Sequence, residues 1–97
     1  MSEKKLKKLR DEINRFDDQL LYLLNRRAEA VIEVGHIKNK MGLKVFDPKR
    51  EKDIFVRMTE KNPGPLHTDA IVRLFERIID ESRRLERVEA YQKESNK

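Results

Sequence analysis

The sequence predicts an all-α protein with three helices per chain, the first very long, assembled as an intertwined helical homodimer. Three observations predict it. Apolar residues recur at steps of three and four through most of the 97 residues, the signature of amphipathic helices. Breakers at Gly42, Pro48 and Asn62-Pro63-Gly64-Pro65 cut that pattern into three parts. The first part is too long for the rest of so short a chain to cover.

The first helix is expected from about Leu6 to Met41, with Leu6, Leu9, Ile13, Phe16, Leu20, Leu23, Leu24, Val31, Val34 and Ile37 on its seam. At about 1.5 Å per residue it would run roughly 54 Å. Gly35 interrupts it without ending it, since one interior glycine costs about 1 kcal/mol, and it permits close approach by a neighbour. Gly42 supplies the stop. Gly42-Leu43-Lys44-Val45-Phe46 is a short connector whose apolar side chains should tuck against the helices. Asp47-Pro48 opens the second helix, the carboxylate capping it and proline suiting its first turn. Ile54, Phe55 and Met58 form its apolar face to about Lys61. Asn62 to Pro65 is a turn that no regular element crosses. A third helix starts near His67 or Thr68 and carries Ile71, Leu74, Phe75, Ile78, Ile79, Leu85 and Val88, with a polar tail expected to fray from about Gln92. Residues 1–97 read as one domain with an ordered core of about 6–90. A monomer would leave much of the first seam exposed, and a two-fold partner would cover it.

Composition bounds the function. Hydrophobic residues make up 37% and charged residues 42%, too polar a mixture for a large private core, and association is the common remedy in small domains. The net charge of +5 comes from 23 Lys and Arg against 18 Asp and Glu. Acids and bases are interspersed without a dense basic block, so nucleic acid is not an expected partner. The surplus suits attraction of a small polyanionic metabolite. No run approaches the roughly 20 apolar residues of a membrane span, and Met1-Ser2-Glu3-Lys4-Lys5 lacks a signal peptide's apolar segment. A cytoplasmic protein with no membrane partner is expected. There is no cysteine, and His36 and His67 lack acidic neighbours at ligand spacing, so neither thiolate chemistry nor a metal is expected.

Three cations on the first helix pose a geometric problem. Arg27 and Lys38 are eleven residues apart and face nearly the same way at about 100° per residue. Arg10 faces elsewhere and lies roughly 25 Å from Arg27 along the axis. A small anion can bridge Arg27 and Lys38 but cannot also reach Arg10 of the same helix. One site using all three needs a second chain. Arg27 reads either as a surface arginine or as a guanidinium held for a carboxylate; Lys38 either snorkels at the helix end or completes that clamp. Capping accounts for Asp47, while Arg50 and Glu51 are either solvated surface or ligand-facing groups at a helix N-terminus. Ser82 and Glu86 share a face four residues apart. They are either helix surface or polar groups in a pocket otherwise made of isoleucine and valine.

Leu9-Arg10 with Ile13 and Asp17, Leu20-Leu21 to Arg27, Val34-Gly35 to Lys38, Asp47 with Arg50-Glu51, and Ile78-Ile79 with Ser82 together resemble the all-helical chorismate mutases, over about Leu6 to Glu86. The resemblance implies conversion of chorismate to prephenate by an intramolecular Claisen rearrangement, in phenylalanine and tyrosine biosynthesis, without a cofactor. It implies a homodimer whose two sites each take an arginine from the other chain. By similarity, Arg27 and Arg10 of the partner subunit would bind the substrate carboxylates, with Ser82 assisting. Lys38 would donate towards a carboxylate and the ether oxygen. Glu51 would accept from the ring hydroxyl, aided by the backbone at Asp47. Arg50 would shape the field by pairing with Asp47, and Val34 and Ile79 would wall the ring. Glu86 occupies a place where family members carry glutamine or glutamate, and only its protonated form can donate to the ether oxygen. The catalytic set implied is thus Lys38, Glu86, Arg27 and Arg10. Alternatives are an isochorismate pyruvate-lyase of the same fold, a regulatory or docking module for a partner enzyme of the aromatic pathway, and a plain coiled-coil scaffold.

Overall fold

A computed structural model describes the backbone of residues 1–95 and the side chains of residues 1–88. It contains three helices: α1 (Ser2–Met41), α2 (Pro48–Lys61) and α3 (Thr68–Ser95). No strand occurs among the described residues. The all-α class and the three-helix order follow the sequence expectation. The first helix starts four residues before the expected Leu6. Ser2 to Lys5 carry no apolar pattern, but Glu3 in the first turn suits the positive end of the helix dipole. The tail expected to fray from Gln92 is helical as far as Ser95, and its last two residues lie outside those described.

The chain groups into two units, Met1–Ala30 and Val31–Lys97. The first is a single stretch of α1. Its apolar residues are largely in solvent, from 45% exposure at Leu24 to 62% at Leu21, with Leu6, Leu9, Ile13, Phe16, Leu20 and Leu23 between. A lone amphipathic helix has nothing to bury that face against, and propensity alone holds isolated helices only marginally.

The second unit holds the end of α1 with α2 and α3. Here α2 packs against α3, and among the described residues Ile54 and Ile79, at 5% and 4% exposure, are its buried hydrophobic side chains. Each junction has a local cause. Gly42 takes φ +69°, a left-handed conformation that favours glycine. Its N–H donates to the Asn39 carbonyl at 3.3 Å, and Leu43 N–H donates to the Lys38 carbonyl at 2.8 Å. That pair of bonds is a Schellman motif, which satisfies carbonyls left open at a helix end. Asp47 caps α2 by accepting from Arg50 N–H at 3.1 Å, with proline in the first turn. His67 caps α3: its carbonyl accepts from Ala70 and Ile71, and its Nδ1 accepts from Asp69 N–H at 3.2 Å. The connector is less tucked in than expected. Val45 is half-buried, but Leu43 and Phe46 are 54% and 57% exposed.

Candidate functional site

The helices α1 and α3 approach each other closely at Gly35 and Glu86. A Cβ added to Gly35 would stand 3.3 Å from Glu86 Cα and 3.5 Å from its Cβ and Cγ. Glycine is therefore what lets the α3 backbone approach. Lys38 lies one turn further along the same face of α1. Its Nζ donates to Glu86 Oε2 at 3.2 Å and to the Val45 carbonyl at 3.0 Å. Both partners are well covered, with side-chain exposures of 18% for Lys38 and 10% for Glu86. The Schellman turn makes this possible by folding the connector back until Val45 faces the lysine. An ammonium has three N–H donors, and two are directed at these groups. The third is available to an incoming oxygen.

A second polar group gathers where α2 begins. Glu51 follows the Asp47 cap by one turn, and its Oε2 is 3.2 Å from Arg83 Nε on α3. Arg83 also reaches Asp80 Oδ1 with Nη2 at 2.8 Å, and its guanidinium carbon lies 5.5 Å from the centroid of the Phe46 ring, within cation–π range. The charges of Glu51 and Arg83 are in contact, yet the buried Nε–H is not aligned as a hydrogen bond. Beside this pair a cleft of about 280 Å³ is lined by Glu51, Phe55, Glu76, Ile79, Asp80 and Arg83.

The expected site residues fall into groups. Lys38 and Glu86 touch, and Glu51 and Ile79 share the cleft. Ser82 is half-buried, and its hydroxyl donates to the Ile78 carbonyl at 2.8 Å, a bond within its own helix. Val34 is 42% exposed. Asp47 meets Arg50 through the backbone N–H, whereas the Arg50 side chain is exposed. Arg10 and Arg27 belong to the Met1–Ala30 unit, where Arg10 is exposed and Arg27 half-buried. Arg83 was missed by sequence reasoning. Its register offered a signal, four residues after Ile79 and three before Glu86, which puts it on the same face of α3.

Comparison with known proteins decides the family. The family model for chorismate mutase type II matches residues 9–87. This chain belongs to the chorismate mutase type II family. A chorismate mutase from Thermus thermophilus, in its form II structure, superposes with a TM-score of 0.84 at 36% identity, covering 86% of this chain and 94% of that one. The bifunctional chorismate mutase/prephenate dehydratase of Aquifex aeolicus is 37% identical over 86 residues, and that of Escherichia coli is 40% identical over 83. Each match covers 84% of this chain but only 24% and 21% of those relatives. The chain thus spans about a quarter or less of the length of these curated relatives. The family assignment agrees with the three-helix, all-α chain.

The contact at Gly35 yields a stability prediction. Alanine is favoured over glycine in helices by about 1 kcal/mol, yet here its Cβ would press on the backbone of α3. Gly35→Ala should therefore fail to stabilise the protein, and Gly35→Val should lower the unfolding free energy by about 1–3 kcal/mol in urea titrations. A valine variant as stable as the wild type would show that the helices have no such contact.

Proposed function

We propose that this chain is a chorismate mutase, a single helical domain acting as a homodimer in the cytoplasm. The observation that carries the reading is the covered Lys38–Glu86 pair, held at the Gly35 crossing in a chain of this family. The rearrangement breaks a C–O bond and forms a C–C bond within one molecule, so it calls for no external base, metal or redox group. The protein's task is to hold the substrate in a compact chair-like conformation and to stabilise negative charge that grows on the ether oxygen.

Each residue has a place in that task. Arg27 and Arg10 of the partner subunit bind the two carboxylates, with Ser82 assisting one of them. Lys38 turns its remaining N–H towards a carboxylate and the ether oxygen. Glu86, which pairs with Lys38 in the free protein, donates to the same oxygen when its carboxyl carries a proton in the complex. Glu51 accepts from the ring hydroxyl at the start of α2, where the Asp47 cap fixes the backbone. Ile79 supplies an apolar wall, with Val34 on the α1 side, and Arg50 adds positive potential from the surface. Preorganised donors of this kind are worth about 3–4 kcal/mol each in the transition state.

Dimerisation follows from two independent needs. The Met1–Ala30 stretch of α1 exposes a continuous apolar face, and an arginine far along a helix from its fellow cations cannot join them on one small ligand. A second copy answers both. Prephenate leaving this site would be the substrate of a dehydratase, an activity that the bifunctional relatives carry in one chain by their names; here a separate or attached partner enzyme would supply it.

A chorismate-depletion assay with identification of prephenate tests the reading. The wild type should convert chorismate, and Arg10→Ala and Arg27→Ala should each lose about a hundredfold or more in kcat/KM. Mixed chains of the two variants should regain activity, because a hybrid dimer assembles one intact site. Formation of pyruvate from isochorismate in place of prephenate would give the reaction to the lyase alternative.

The role of Glu86 has its own check. Only a group that carries an N–H or O–H can fill that role. Glu86→Gln, whose amide always carries N–H donors, should keep kcat/KM within about tenfold of the wild type, whereas Glu86→Ala should lose about a hundredfold or more. An alanine variant as active as the wild type would remove Glu86 from the donating role.

A further inference from the structure

The mechanism above leaves Arg83 without a task, although its setting differs from that of an ordinary surface arginine. The Arg77–Glu81 pair, for comparison, is 77% and 51% exposed. Arg83 and Glu51 are 32% and 17% exposed. The guanidinium of Arg83 is restrained on two sides, by Asp80 Oδ1 at 2.8 Å within α3 and by the Phe46 ring at 5.5 Å in the connector. Its third edge, Nε, is presented to Glu51 Oε2 at 3.2 Å. Three parts of the chain thus converge on one cation: the end of the connector, the first turns of α2, and α3.

We propose that Arg83 is a positioning residue for Glu51, fixing its carboxylate and offsetting its charge so that it can accept a hydrogen bond from the hydroxyl of a doubly negative substrate. The proposal rests on the mutase reading. Glu51 is a flexible side chain with several rotamers, and an accepting oxygen must be placed within a few tenths of an ångström to serve a ligand. An arginine already held by Asp80 and Phe46 can impose that placement, because its planar fork is rigid. Charge gives a second reason. A bare carboxylate beside a dianion repels it, and a guanidinium in contact cancels most of that field. The buried Nε–H, not yet aligned with Glu51, gains its hydrogen bond if the carboxylate rotates slightly. Oε2 then faces Arg83, and the other oxygen remains for the hydroxyl.

The test compares wild type, Arg83→Met, Arg83→Lys, Glu51→Gln and the Glu51→Gln/Arg83→Met double variant in steady-state kinetics, with thermal melts to confirm folding. A hydroxyl contact made equally in substrate and transition state appears in KM. Arg83→Met should therefore raise KM by about tenfold and change kcat by less than about threefold. In the Glu51→Gln background the same substitution should cost less than about twofold, because the two residues act through one contact. Arg83→Lys, which keeps the charge, should recover at least about threefold of the loss. Equal losses in both backgrounds, a lysine variant no better than methionine, or no loss at all would overturn the proposal and leave Arg83 as packing. A crystal structure of free Arg83→Met supplies a readout independent of turnover: the Glu51 carboxylate should leave its present position, and an unmoved carboxylate would overturn the proposal. Should the wild type fail to convert chorismate, the mutase reading falls by itself and the crystal structure still decides whether Arg83 places Glu51.

Discussion

The closeness of α1 and α3 at one glycine is the constraint on which the rest of the second unit depends. With no side chain at position 35, the backbone of α3 can come to within van der Waals distance of the place a Cβ would occupy. Lys38 then reaches across to Glu86, which is 8% exposed. A covered carboxylate needs such a partner, since an uncompensated buried charge is costly. The Schellman turn at Gly42 sets the second contact of Lys38, the Val45 carbonyl. Two glycines, each for a different physical reason, thus place one ammonium group.

Stability and function meet on the same helix. The apolar stripe of α1 from Leu6 to Leu24 has no cover of its own, and removing apolar area from water is the main source of folding free energy. In the proposed dimer that stripe becomes the interface, and the helix that forms the interface also bears Arg10, Arg27 and Lys38. Assembly would then create the binding site as a by-product of burying the seam. A monomer would lack both the cover and the third cation.

Much of this was legible in the sequence because it is local. Helix-period patterning, Gly42, the Asp47-Pro48 cap and the Asn62–Pro65 turn depend on neighbours within a few residues, and they set the element order. Ser2 to Lys5 joined α1 without any apolar signal, since helix formation there extends an existing helix and needs no core. Phe46 read as a buried connector residue, but its ring lies half in solvent beside Arg83. Pairings between distant residues were not readable from spacing. Lys38 and Glu86 are 48 residues apart, and that they touch emerges only when two helices cross. Arg83 shows the same limit: its face of α3 was readable, its partner on α2 was not. The family resemblance went further than periodicity did, because it rested on an ordered set of residues spread along nearly the whole chain.

In the proposed complex, two negative charges on a small molecule are met by cations on two chains. Two of the acids nearby are engaged, Glu86 by Lys38 and Glu51 by Arg83. A crystal structure of the protein with prephenate bound is the decisive measurement. The expected result is one ligand per site, its carboxylates held by Arg27 and by Arg10 of the partner subunit, with Lys38 turned towards it and Glu51 on its hydroxyl. A ligand enclosed by a single chain, or seated away from Lys38, would contradict a shared, cation-lined site.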